Sequence, residues 1–270
     1  MKRQYPGEFV YQAVSLVVSL IVVHAFYVAV VRPRADVILA EQAALMQADS
    51  SYVQERSVWV IIRDFEQEAC FVLMFWAIAI MAYKGLQTVK EHKQLQEEMV
   101  LLAEGTKILP EDAREYARQI QALPESEQRY LLPRALLASL DRFSATRNIQ
   151  DVSGTAHALV NAESERLDSE LSMVRYIAWA IPSIGFLGTV RGIGEALGQA
   201  HKAVEGDIAG VTQSLGVAFN STFIALLISI VLLFLLHQLQ LQQERLVLET
   251  ENYLDRNLIR HLQIAGEPIT

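Results

Sequence analysis

Residues 9–31 run for 23 positions without an Asp, Glu, Lys or Arg, which removes most water-soluble folds from consideration. A helix of about 20 apolar residues crosses a hydrocarbon core. Three more such blocks follow. Residues 69–83 are uncharged but short, and draw in Gln67 and its neighbours at one end. Residues 176–190 continue past Arg191 towards Ala200, and residues 208–236 form the clearest span. The chain is 52 % hydrophobic, with the excess concentrated in these blocks, and no strand pattern competes with helix. The expected fold is therefore an all-α integral membrane protein with four transmembrane helices and a helical cytoplasmic region.

A secretory signal has an apolar region of only about 7–15 residues, ending at small residues. The first block is longer and ends in Val30-Val31-Arg32-Pro33-Arg34, so it reads as a retained helix. Lys2 and Arg3 are balanced across that helix by Arg32 and Arg34. Lys84, Lys90, Lys93 and Arg175 flank the long loop between spans two and three and assign it to the cytoplasm. With four spans, both termini then fall on the cytoplasmic side. A net charge of −8 argues against nucleic acid as a partner. The single cysteine, Cys70, lies in a span, so neither a disulfide framework nor a cysteine metal site forms within one copy.

The expected organisation is an N-terminal segment with helix one (1–31), an external segment (32–66), helix two (67–83), a cytoplasmic helical region (84–175), two further membrane helices (176–236) and a C-terminal cytoplasmic helix (237–270). Within the external segment, residues 36–47 read as helix. The cytoplasmic region reads as helices broken at Pro110, Pro124 and Pro133, with acidic residues after the first two prolines as helix starts prefer. Residues 151–154 read as a loop. From Thr155 a helix carrying Glu163, Glu165, Arg166, Asp168 and Glu170 leads towards span three, its charges a solvated face. A short external turn holds Gly206 and Asp207. After span four, Leu239, Leu246 and Tyr253 recur every seven residues, as in a coiled-coil seam or the face of a packed bundle.

The chemistry concentrates in the last two spans. On span three, Pro182, Gly185, Thr189 and Gly192 share one helical face; on span four, Ser214, Ala218, Thr222 and Ala225 do the same. Proline frees a carbonyl that lipid cannot satisfy, and small residues allow close helix approach. Read from the residues alone, both stripes are helix packing, with each threonine bonded to its own backbone one turn earlier.

Ile181-Pro182 through Gly188-Thr189-Val190, followed by Leu215-Gly216-Val217-Ala218-Phe219-Asn220-Ser221-Thr222, resembles the MotA/TolQ/ExbB proton-channel family over residues 165–236. The resemblance implies that Thr189 and Thr222 line an ion path. Pro182, Gly185, Gly188, Gly192, Ser214, Ala218 and Ser221 then serve pore-helix packing and hinging. It also implies a ring-forming homo-oligomer, typically a pentamer, in the bacterial inner membrane. Such a ring surrounds two copies of a single-span MotB/TolR/ExbD-like partner that supplies a membrane aspartate. The residues agree with that division of labour: no Asp or Glu lies in the middle of a span, and a threonine hydroxyl can donate and accept hydrogen bonds but cannot hold a proton charge. Two features depart from familiar branches. Val217 stands where many ExbB-like and TolQ-like members carry an acid, and no proline lies between Pro182 and Pro268, whereas four spans are MotA-like.

Arg191 and Glu195, four apart on one face, point away from Thr189. They read as an interfacial ion pair, with an outer gate as the sharper alternative. His24 lies deep in span one and reads as an interhelical hydrogen-bonding residue, His201 as an exposed loop residue. Trp59, Trp76 and Trp179 read as membrane anchors. No cofactor motif, nucleotide loop or nucleophile elbow is present. Two functions follow: an ion channel subunit, for protons by the resemblance, that converts proton-motive force into work on its partner, or a non-conducting scaffold or sensor acting through the cytoplasmic helices.

Overall fold

The computed structural model describes residues 5–48, 57–95, 107–204, 206 and 208–264; Lys2, Arg3 and Asp207 lie outside them. The described residues are almost entirely helical. Among the described residues the β-type pairing is a single-residue parallel bridge, in which Ile108 N–H donates to the His261 carbonyl (2.8 Å) and Gln263 N–H to the Ile108 carbonyl (3.0 Å). Four helical stretches are long and apolar enough to cross a membrane: Gly7–Met46, Phe65–Leu95, Ile149–Gly198 and Gly210–His261.

The chain divides into two compact units, residues 1–82 with 173–236, and residues 83–172 with 237–270. In the first, helix α1 (Tyr5–Phe26) passes through a π-turn (Tyr27–Val31) directly into α2 (Arg32–Ala48). The expected helix at 36–47 is thus the continuation of span one. Pro33 is no obstacle, because the π-turn before it already disrupts the regular ladder whose donor proline lacks. A short α3 (Val58–Ile61) precedes α4 (Phe65–Leu95). Helix α8 (Ser172–Gly198), a short α9 (Ala200–Val204) and the first part of α10 (Ala209–Asn257) complete the unit. Hydrogen bonds tie α1 to α4, among them Trp76 Nε1 donating to the Gln12 carbonyl (2.9 Å) and the Tyr11 hydroxyl to the Ala79 carbonyl (3.1 Å). Trp76 therefore joins two spans, whereas Trp179 is exposed on α8.

The second unit has its own apolar core, in which Ile120, Leu136, Leu140, Phe143, Val152, Val160, Leu254 and Leu258 are buried. It is built from α5 (Ala113–Gln121), α6 (Leu131–Thr146), α7 (Ile149–Glu170) and the late part of α10. Leu246 is buried and Tyr253 packs on this core, so the seven-residue repeat is a bundle face here.

Several expectations about this region change. No helix starts after Pro124, where residues 124–129 form turns. Pro133 does not break a helix; it sits in the first turn of α6, where an N–H would be unpaired anyway. Residues 151–154 are helical rather than a loop. Asn148 caps α7, its side chain accepting from Gln150 N–H at 2.9 Å, and burial of Val152, Ala156 and Val160 on one face outweighs the weak propensities of Asp, Ser and Gly.

The charged stretch on α7 is not a plain solvated face. Glu163 is 3 % exposed. It accepts from Arg134 Nη1 (3.2 Å) and Arg166 Nε (3.1 Å), and Arg166 also pairs with Glu170. Glu170 in turn receives Lys84 Nζ at 2.7 Å. Glu91 accepts the unpaired N–H of Leu131 at the start of α6 (3.1 Å), giving that helix end the partner it lacks within itself. Burial alone would raise the Glu163 carboxyl. The Arg166 hydrogen bond and the charges of Arg166 and Arg134 outweigh burial and hold it below the ordinary carboxylate range.

A carboxylate whose pKa falls on folding contributes stability above its unfolded value of about 4.3 and loses it as pH drops through the folded value. Glu163→Gln is therefore expected to destabilise the protein at pH 7 by about 1–3 kcal/mol. The gap to the parent should close below about pH 4, as followed by thermal unfolding of both proteins in detergent.

Candidate functional site

Helices α8 and α10 meet along two lines of small residues. Gly185, Gly188, Gly192 and Ala196 are buried on α8; Ser214, Ala218, Ser221 and Ala225 are buried on α10. The approach is backbone to backbone. A Cβ on Gly192 would lie 2.7 Å from the Ser214 carbonyl oxygen and 2.8 Å from both Cβ and N of Ala218. A Cβ on Gly188 would lie 2.5 Å from Ser221 Cβ, and one on Gly185 would collide with Ala225 Cβ. Only glycine fits at these three positions. The packed line on α10 runs through Ser221, so Thr222, like Thr189, sits half-buried at the edge of the seam. Phe186, Val190, Phe219 and Phe223 are exposed around them.

At that edge the two threonines face each other, and their hydroxyls are hydrogen-bonded. Thr189 Oγ1 also lies 3.1 Å from the Ala218 carbonyl and 3.4 Å from that of Gly185, its own helix one turn earlier. Thr222 Oγ1 donates across the seam to the Gly185 carbonyl at 3.1 Å. Two hydroxyl protons are thus shared among more acceptors than they can serve at once. The pair can redirect its donors without adding or losing a proton, which suits guiding water or a passing ion and not storing charge.

Pro182 lies inside α8 and removes the N–H that would bond the Ala178 carbonyl. Ser229 on α10 replaces it, its hydroxyl donating to Ala178 at 3.0 Å in a buried position. Nothing but a lone serine in an apolar run marked Ser229 in the sequence.

Arg191 and Glu195 do pair (2.9 Å), but the stronger partner is Glu66 on α4, which takes Arg191 Nε at 2.7 Å and Nη2 at 2.9 Å in a two-pronged contact. The stem of Glu66 lies against Gly188, whose added Cβ would come within 3.2 Å of Glu66 Cγ. The same glycine thereby serves both the α8–α10 seam and the arginine clamp. His24 does make an interhelical bond, to Glu68 on α4 at 2.6 Å.

A cleft of about 250 Å³ with a mixed lining opens beside the start of α10, where Arg63, Asp64, Gln213 and Asn220 stand among Val60, Phe219 and other apolar residues. Asn220 is two residues from Thr222. Burial pushes the Asp64 carboxyl above the usual carboxylate range, against the opposing charges of Arg191 and Arg63. Among the described residues no cluster of His, Cys, Asp and Glu has the composition of a metal centre.

Residues 127–252 match the model of the MotA/TolQ/ExbB proton channel family. Over that stretch the chain is similar to this family. The match spans both threonine helices and reaches well into the second unit on either side, beyond the 165–236 stretch that carries the sequence resemblance. Among curated proteins none matches the chain significantly. The family is one of channels, and its members work with single-span partners in motor-like complexes. Four helices long and apolar enough to cross a membrane, together with this match, make the chain a multi-pass membrane protein.

The glycine seam predicts a contrast between neighbours. Gly192→Ala should force α8 away from α10 and cost about 1–3 kcal/mol, whereas Gly194→Ala, with nothing within 4 Å of its Cβ, should leave stability unchanged or slightly raised. Ser229→Ala strands the Ala178 carbonyl and should cost about 1–2 kcal/mol. Denaturation of the three variants in one detergent checks both statements.

Proposed function

We propose that this chain is the ion channel subunit of an inner-membrane motor, conducting protons past Thr189 and Thr222 and turning proton-motive force into rotation or conformational work of a single-span partner. The observation that carries the reading is the threonine pair. Two hydroxyls meet across a glycine-lined seam, at its edge, with surplus acceptors and no acid of their own. Packing alone needs only the small residues of the seam; the hydroxyls add a polar station in an apolar surface. The titrating acid comes from the partner, because the two carboxylates of this chain nearest that depth, Glu66 and Glu68, are each held by an arginine.

In this reading several copies, five by the family pattern, form a ring in the bacterial inner membrane around two partner copies, each bearing a membrane aspartate. Both termini and the second unit lie in the cytoplasm, and α2 and α3 lie outside. The cleft holding Asp64 and Asn220 is the external approach. A proton arriving there neutralises the partner's aspartate beside the threonines, and its release towards the cytoplasm restores the charge. The changing attraction between that aspartate and the hydroxyls drives relative movement. The available work is about 2.3 kcal/mol per charge per 100 mV.

Thr189→Val and Thr222→Val keep the side-chain shape and delete the hydroxyl. Each is expected to assemble normally and to lower partner-dependent proton flux into proteoliposomes at least tenfold. Undiminished flux in both would overturn the pore assignment and leave the scaffold reading, under which the partner's work also survives a protonophore.

A further inference from the structure

Helix α1 does not continue into α2 with regular pitch. Residues Tyr27–Val31 form a π-turn, which accommodates one residue more than the helix period allows. On a regular helix Phe26 and Arg34 would stand about 80° apart. With the extra residue absorbed between them, Arg34 falls within about 20° of both Phe26 and Val22, and about 12 Å beyond Phe26 along the axis. The same shift sets His24 and Arg32 on one carboxylate, Glu68.

On the membrane side of Arg34, α1 and α4 leave a slot of about 320 Å³ between them. Val22, Phe26 and the ring of Tyr27 form one wall, Phe71 and Phe75 the other, and Ile62 joins them from the segment before α4. The lining is wholly apolar. Tyr27 is buried, whereas Val22, Phe26 and Phe75 are exposed, so the slot opens onto the uncharged face of span one. An apolar cavity of about 150 Å³ already stays dry and takes up a benzene, and this one is about twice as large. Left empty, its walls would forfeit dispersion contacts. In a bilayer the groups at hand to supply them are acyl chains.

Arg34 stands at the outer end of the slot. Its guanidinium lies over the Trp59 ring at 4.6 Å, and Trp59 packs against the same apolar cluster as Val23, Tyr27 and Val31. Stacking on an aromatic face orients a guanidinium and leaves its N–H donors open. The neighbouring arginines are engaged: Arg32 bonds Glu68, and Arg63 holds Asp36 at 3.1 Å. Among the described residues no carboxylate pairs with Arg34. Val37, one turn further along α2, and Val58, next to Trp59, are both exposed. An ordered tryptophan among exposed apolar side chains marks this level as the membrane interface.

The geometry points to a binding site for one anionic glycerophospholipid, with an acyl chain in the α1–α4 slot and the phosphate on Arg34. The dimensions agree. Each leaflet contributes about 15 Å of hydrocarbon and a headgroup layer of about 5–8 Å. A cation about 12 Å from the slot therefore stands at phosphate level when the slot lies within the upper chain region. The guanidinium fork matches two phosphate oxygens. The preference for an anionic headgroup follows from charge: Arg34 leaves one positive charge unbalanced here, and a zwitterionic lipid brings no net charge to offset it. The site depends on the membrane-spanning helices and not on the pore assignment.

The test uses the full-length protein in mild detergent, stripped of co-purified lipid and mixed with dioleoyl phosphatidylglycerol or dioleoyl phosphatidylcholine. Native mass spectrometry counts the lipid retained. The parent is expected to hold one phosphatidylglycerol per chain in preference to phosphatidylcholine. Arg34→Gln should lower phosphatidylglycerol retention about fivefold, the attraction of one basic side chain, to the level of phosphatidylcholine. Val22→Trp places an indole in the slot and should lower retention of both lipids at least fivefold. Both positions are exposed, and thermal unfolding in the same detergent checks that each variant is folded. Parent-level phosphatidylglycerol retention in either folded variant would overturn the proposal. So would displacement of the lipid by glycerol phosphate, which would make Arg34 a site for the headgroup alone. Thr189→Val should leave retention unmoved whatever it does to flux, so failure here and failure of the pore reading are told apart.

Discussion

Between lipid-facing helices there is no water to expel, so α8 and α10 associate through dispersion contact and short-range hydrogen bonds. Both require the backbones to come close, and the three glycines of α8 are what allow it. Gly192 meets the backbone of α10 directly, Gly185 makes room for Ala225, and Gly188 makes room for Ser221 and for the stem of Glu66. Once the seam is closed, each polar group on its margin falls within reach of a partner on the other helix. The Thr189–Thr222 pair, the Thr222 bond to Gly185 and the Ser229 bond to Ala178 are all consequences of that proximity. Without the glycines the hydroxyls would fall back on their own helices.

The second organising element is α4, whose start in the membrane unit carries a carboxylate on each of two faces. Glu66 holds Arg191 of α8 and Glu68 holds Arg32 and His24 of the first helix. In each case charge is compensated within the unit, which is the condition for placing ionised groups against lipid. The π-turn is part of that compensation, since it brings Arg32 round to the side of His24.

Much of the candidate site is legible in the sequence, for identifiable reasons. Pro182 announces an unpaired carbonyl, and glycine spacing announces a close helix contact; both follow from local covalent geometry. Thr189 and Thr222 were legible as polar stations because hydroxyls are rare enough in such runs to stand out. Ser229, Glu66 and Glu68 were not, because their roles depend on which helix lies opposite, and nothing within ten residues of each specifies that neighbour. Residues 151–154 misled for a related reason. Asp, Ser and Gly favour a loop by local preference, but the apolar face through Val152 and Ala156 packs into the core of its unit, and tertiary burial wins.

What the sequence determined by itself is whatever a single helix can encode: four apolar stretches that mark membrane helices, the positions where backbone comes close or loses a donor, and the residue types available for proton or ion handling. The tertiary structure decided which of those groups meet. It joined Thr189 to Thr222 rather than to its own turn alone, gave Arg191 to Glu66 before Glu195, and turned His24 and Arg32 onto one carboxylate. The physical reason is that helix periodicity fixes which residues share a face, whereas the identity of the opposing face is set by packing between segments more than thirty residues apart.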